Sequence, residues 1–369
     1  MYKSIYYKYV SIGLLLGIFF LSTAVEAGSK ARRGTAGAQE LLMPLGSRGT
    51  AMSGAYVAGI TGVEAAHWNI AGLGGMESSG EAMFSQSNWI ADIDMSYGIV
   101  ATSVGANMFG VSLKSFDFGD IPVTTAFQPD GTGEMYSPRF FTLGAMYARR
   151  VTDRIRFGTE FKIVNESIMR ETATGFAVDA GVQYNISNIQ LGASIRNLGT
   201  NMKFSGSDLD EFHQPVGTNP GTPNEPRQVG TSQFEMPTTF EMGVAYNKSF
   251  SGNDVILAAS FLNNNFSFDE YRFGAEVKTM GMLYLRGGMA LAQDPEPFGD
   301  DGIEGTTDDS DDVVWEQKTE DFIWGPSFGF GLDFSKLLGV GLSVDYAYRS
   351  AEFFSGVSWL SLNFAFKQR

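Results

Sequence analysis

Two histidines, His67 and His213, are the only imidazoles in this 369-residue sequence, and there is no cysteine. A Ser-His-Asp arrangement is therefore open only around one of those two positions. His67 stands beside Trp68 in a stretch of small residues and reads as a packed or hydrogen-bonded ring. His213 stands in an acidic, proline-rich stretch and reads as solvated. Neither has the neighbours of a metal cluster, so the sequence is expected not to be an enzyme. The densest run of hard ligands is residues 298–312, where Asp300, Asp301, Asp308, Asp309 and Asp311 could wrap carboxylates around calcium. The regular oxygen positions and terminal glutamate of an EF-hand are missing, and a solvated acidic loop is the plainer reading. No other cofactor is expected.

A second set of charges is spaced differently. Arg156, Glu160 and Lys162, with Gly158, alternate with Ile155, Phe157, Thr159, Phe161 and Ile163. Arg272, Glu276 and Lys278, with Gly274, alternate with Tyr271, Phe273, Ala275 and Val277. Asp345 lies among Gly341, Ser343 and Ala347, opposite Val340, Leu342, Val344 and Tyr346, and Arg286 lies in a comparable segment. Period-2 alternation places each set on one face of a strand. One face is greasy; the other is charged or tiny.

The elements that would position these charges are strands spaced along nearly the whole chain. They are expected at 81–89, 95–104, 107–116, 140–151, 155–166, 175–186, 189–198, 238–249, 254–262, 270–279, 282–292, 321–334, 340–348 and 357–367, fourteen in all. Short connections at 105–106, 152–154, 187–188, 250–253, 280–281 and 335–339 intervene between longer ones, above all 117–139, 199–237 and 293–320. A soluble sandwich can share the alternation but has no reason to set its long loops on every second connection. The pattern reads instead as an all-β, fourteen-stranded antiparallel transmembrane barrel with bulky residues toward lipid and the charges toward the lumen. Those charges then either pair with one another across strands against a plug, the plainer reading, or line a polar pathway.

The rest of the sequence fits an exported chain. Lys3 and Lys8, an apolar run from 10 to 21 and the small-residue site ending at Ala27 read as a signal peptide over 1–27, with an uncleaved anchor as the alternative. No later stretch is long and apolar enough for a spanning helix. The net charge of -15 argues against nucleic acid as a partner. These readings place the protein in a bacterial outer membrane, in contact with its lipid, with both termini in the periplasm. The chain divides into 28–80, expected as a lumenal plug or hatch, and 81–369, the barrel.

Residues 33–80 are rich in glycine and alanine, with a helical turn expected over 62–68. The stretch Gly46-Ser47-Arg48-Gly49-Thr50-Ala51-Met52-Ser53-Gly54-Ala55, followed by Ala65-Ala66-His67-Trp68-Asn69-Ile70-Ala71-Gly72-Leu73, resembles the PorV/PorQ family of FadL-like outer-membrane proteins. Arg48, Trp68, Asn69, Ala71, Gly72 and Leu73 match the motif positions, whereas Ile70 stands where the family has proline. Arg196-Asn197-Leu198-Gly199 and Met236-Pro237-Thr238-Thr239 are similar to later family segments. The resemblance implies a FadL-like barrel with an N-terminal hatch. It further implies a role in type IX-like protein secretion or surface attachment, with secreted cargo or other secretion components as partners. The alternative is a FadL-like channel for small hydrophobic compounds such as fatty acids.

Overall fold

The computed structural model describes residues 32, 34–214, 217, 223, 225–293 and 322–368. The expected signal segment 1–27 and the candidate calcium loop with Asp300, Asp301, Asp308, Asp309 and Asp311 lie outside the described residues.

Fourteen long strands form one closed antiparallel barrel. In chain order they are β1 Ser78–Asn88, β2 Asp94–Val104, β3 Asn107–Asp117, β4 Arg139–Arg150, β5 Ile155–Ile168, β6 Glu171–Ile186 and β7 Ile189–Gly199. The series continues with β8 Thr239–Phe250, β9 Asn253–Asn264, β10 Asp269–Thr279, β11 Leu283–Gln293, β12 Trp324–Asp333, β13 Gly341–Ala351 and β14 Val357–Gln368. Each strand pairs with its neighbours in sequence, and β1 pairs with β14 to close the ring. Closure removes every sheet edge, the requirement that lipid imposes on a strand-built wall.

Alternation sets the faces. In β6, Ala173, Ala177, Asp179 and Gln183 are buried while Phe176, Val178 and Val182 are exposed. Outward positions elsewhere carry Phe84, Val111, Leu113, Phe161, Phe273, Leu285, Phe330, Leu360 and Phe366, all exposed. An exposed wall of this composition would be expelled by water and suits hydrocarbon. The barrel is of the outer-membrane type, and the alternating expectation holds strand by strand.

The loops follow a less regular rule than the sequence suggested. The connections of β3 to β4, β7 to β8 and β11 to β12 are long and lie at one end. At that same end, however, β5 turns into β6 through residues 169–170 alone. Ser167 and Ile168 stay paired with Thr172 and Glu171, because ladder hydrogen bonds continue past the point where the apolar pattern fades. The ends are named below by the long loops and by the short turns.

Before β1 the chain runs through the barrel. Arg32 pairs with Glu235 at 2.9 Å and lies 4.4 Å from the Phe266 ring, both at the long-loop end. The segment then descends to Ser78, which pairs with Gln368 at the short-turn end. Arg32 and Gln368 sit at opposite ends of the barrel, and the residues ahead of Arg32, on which the expected position of the N-terminus depends, lie outside the described residues. Strand count fixes where β1 begins and β14 finishes, but not the path of the chain ahead of β1.

Candidate functional site

The lumen is where side chains converge, and its filling begins with missing side chains. A Cβ on Gly158 would come within 2.5 Å of the Ile70 carbonyl oxygen, and one on Gly288 within 2.4 Å of the Met52 carbonyl carbon. A Cβ on Gly192 would lie 2.6 Å from the Ala58 Cα. These inward glycines of β5, β11 and β7 let the backbone of 47–75 lie flat on the wall. Short helical turns at Ser47–Ala51, Ala65–Trp68 and Ile70–Gly75 occupy the space so created.

The motif residues hold that segment in shape. The Trp68 indole donates to the Leu45 carbonyl at 3.1 Å and covers Gly49, where a Cβ would sit 2.1 Å from its nitrogen. Asn69, fully buried, accepts the Ala71 N–H at 3.1 Å. Its amide donates to Val57 at 3.1 Å and to Val182 at 3.2 Å, bridging the segment to β6. Ile70 opens the 3-10 turn without the family's proline, since the Asn69 side chain caps it. Ala71, Gly72 and Leu73 are buried in that turn, and a Cβ on Gly72 would meet the Ile60 carbonyl oxygen at 2.1 Å.

Arg48 reaches the wall. Its Nε and Nη2 donate to the two Glu276 oxygens at 2.8 and 2.7 Å, a bidentate geometry that favours guanidinium over ammonium. Glu276 also accepts from Arg286 at 2.6 Å, and Arg286 in turn donates to Asp345. Lys162 bridges Asp179 and Glu160 and donates to Asn197 at 2.9 Å. Arg272 pairs with Glu270 at 2.8 Å and, with Arg196, with Glu241. Two of the expected lumenal charges stand apart from these networks. Arg156 donates to Gln183 at 3.4 Å beside Gly75, and Lys278 lies 5.0 Å from the Tyr284 ring near the short turns.

Sequence reasoning overlooked Asp179, Arg196, Glu241, Glu270, Arg349 and Lys114. Each has the inward parity of its strand, and Arg196 adjoins the point where the β6–β7 register shifts. Only the neighbouring strands reveal that parity as lumenal.

Two acids of the segment titrate abnormally. Burial pushes Glu64 up to about 7 even though it accepts the Gly49 N–H at 2.7 Å. Burial likewise pushes Glu40 up to about 8, with Glu166 beside it adding to the effect. His67 is held neutral by burial and by the nearby Arg196 and Lys114. Its ring meets Trp68 edge-on at 4.9 Å. His213 is exposed and contacts Glu211 at 2.7 Å. Among the described residues no group of three or more His, Asp or Glu side chains is arranged to hold a metal.

The other side of the lumen carries fewer charges, Glu81, Lys114 and Arg150 among them. Met83, Met95, Tyr97, Ile99, Met108, Phe116, Met146 and Trp359, on β1 to β4 and β14, form one buried apolar cluster. Trp89, Phe118, Phe140 and Trp324 pack against it toward the long loops.

No family model matches the sequence, and no curated protein matches it. Solved structures do. The CymD monoaromatic hydrocarbon channel aligns with a TM-score of 0.53 at 13% identity, over 87% of this chain and 97% of its own. The Pseudomonas putida toluene transporter TodX aligns with a TM-score of 0.53 at 14% identity, over 89% of this chain and all of its own. At these identities the likeness is one of fold: a fourteen-stranded, FadL-like barrel.

Proposed function

We propose that the chain is an outer-membrane channel for small hydrophobic molecules, with no catalytic role. The observation that carries this reading is the apolar inner wall built from Met83, Met95, Tyr97, Met108, Phe116, Met146 and Trp359. A conduit for water-soluble solutes has no use for thioethers and indoles on its inner face, because an apolar solute is the one that gains by leaving water there. Methionine adds adaptability, since an unbranched polarizable side chain conforms to guests of different shape. The hydrocarbon and toluene channels that share the fold lend the reading support. Nothing in the comparisons supports the secretion role that the PorV/PorQ resemblance implied.

In this reading residues 1–27 direct export and are removed. The segment from 28 to 80 is the hatch, the short turns face the periplasm and the long loops face outward. Passage then requires part of the segment to shift along the apolar wall. The test is uptake of radiolabelled toluene by cells carrying the protein in their outer membrane. Uptake faster than in cells carrying an empty vector is expected; equal uptake overturns the proposal.

A further inference from the structure

Three guanidinium groups in the long-loop half of the lumen face two carboxylates. Arg196 and Arg272 share Glu241 at 3.3 and 3.4 Å, and Arg272 takes Glu270 at 2.8 Å. Arg349, on β13, has only 6% of its surface exposed, and among the described residues its Nε and Nη2 have no hydrogen-bond partner. Guanidinium nitrogens left without a hydrogen bond in a water-poor interior are disfavoured even with the Glu270 carboxylate nearby, and an anion supplied from outside lowers the penalty.

Among the described residues, some accessible surface, and so some space, remains around this group. The Arg196, Arg272 and Glu270 side chains keep 10%, 10% and 14% of their surface accessible although the barrel encloses them. One wall of that space is aromatic. The Trp324 ring lies 4.8 Å from the Arg349 guanidinium, the Trp89 ring 5.2 Å from Trp324, and the Trp359 ring 5.9 Å from Trp89. Trp89 and Trp324 are only partly buried, so they retain surface for a guest.

We propose that this corner is a receptor for a flat apolar acid, with the carboxylate on Arg349 and the ring against Trp89 and Trp324, which the buried Trp359 backs. The inference rests on the small-molecule reading above and narrows it from hydrophobic compounds in general to those with an acid group. A neutral hydrocarbon could use the indoles but would leave the guanidinium nitrogens without a hydrogen bond. A free inorganic anion would satisfy the guanidinium and leave the indoles idle. Charge-assisted, two-point pairing with Arg349 and stacking against indole act together only on an aromatic acid.

The test uses the full-length protein in an uncharged detergent, with benzoate, toluene and inorganic phosphate as separate probes followed by equilibrium dialysis and tryptophan fluorescence. Saturable benzoate binding is expected, tighter than that of toluene or phosphate. Arg349→Met should weaken benzoate binding about tenfold or more, and Arg349→Lys should recover part of the loss. Heat-dependent gel migration checks that each variant is a closed barrel; should Arg349→Met fail that check, the three-probe ranking on the unaltered protein decides. Benzoate bound no better than toluene, phosphate bound as well as benzoate, or unchanged benzoate binding by a folded Arg349→Met protein would each overturn the proposal. Toluene flux through the unaltered protein in vesicles is measured alongside. Its absence would sink the channel reading, while the benzoate ranking still decides the receptor.

Discussion

The two halves of the inner wall are built to opposite rules. From β5 to β13 the inward positions carry Glu160, Lys162, Asp179, Arg196, Glu241, Arg272, Glu276, Arg286 and Asp345, paired with one another and with Arg48 of the N-terminal segment. From β14 round to β4 they carry mostly methionine, aromatic and small residues, with Glu81, Lys114 and Arg150 among the charged exceptions. The segment meets them through Leu45, Val63, Ile70 and Leu73 and through hydrogen bonds from Lys114 to Glu40 and from Val63 to Glu81. Ion pairs and bidentate hydrogen bonds have one good geometry, so the charged half fixes the segment in place. Dispersion and hydrophobic contacts tolerate sliding and exchange of partners, so the apolar half, away from Lys114, can admit a guest with fewer buried charges to leave alone. A lumen can thus be anchored on one side and yielding on the other.

The comparison breaks most severely where the segment is wedged off the wall. Gly288→Leu sets a branched side chain where even a Cβ lies 2.4 Å from the Met52 backbone, and main chain cannot step aside as a flexible side chain does. The segment is expected to leave the lumen, exposing 47–60 to protease and opening an ion conductance in planar bilayers while heat-dependent migration persists. Next comes Glu276→Leu, which strips Arg48 and Arg286 of their shared carboxylate and is expected to cost about 3–5 kcal/mol of stability. Unfolding in denaturant, followed by tryptophan fluorescence, measures it. A value under 1 kcal/mol would mean that the charged half is not the anchor.

The same experiment on the other half should give a small number. Met95→Leu conserves volume in the apolar cluster and is expected to cost less than about 1.5 kcal/mol with toluene uptake retained. The smallest effect concerns Glu64, whose carboxyl is raised to about 7 by burial. A raised carboxyl contributes stability that is full below its ordinary value of 4.5 and lost as pH rises through 7. The melting temperature should therefore fall between pH 5 and pH 8, and Glu64→Gln should flatten that fall. An identical slope in the variant would assign the pH dependence elsewhere.

Much of this was legible before any coordinates. Strands such as 155–166 and 270–279 were visible because lipid on one side and a crowded lumen on the other force period-2 alternation on each strand separately. Arg272, Glu276, Arg286 and Asp345 were visible for the same reason: a charge opposite a phenylalanine has one place to go. Trp68 and Asn69 stood out only through a resemblance, and the bonds they make to Leu45 and Val182 span distances no local pattern encodes.

Local patterns along the chain determined the strand number, the sidedness of each strand and part of the charged set, because each depends on neighbours two residues apart. The tertiary structure alone decided three things. It showed that the chain crosses the lumen from Arg32 at the long loops to Ser78 at the short turns. It showed that Gly158, Gly192 and Gly288 are bare because a backbone lies on them. It also showed that charged and apolar inward faces collect on opposite sides. All three depend on which strands become neighbours when the ring closes, and closure is a property of all fourteen strands together.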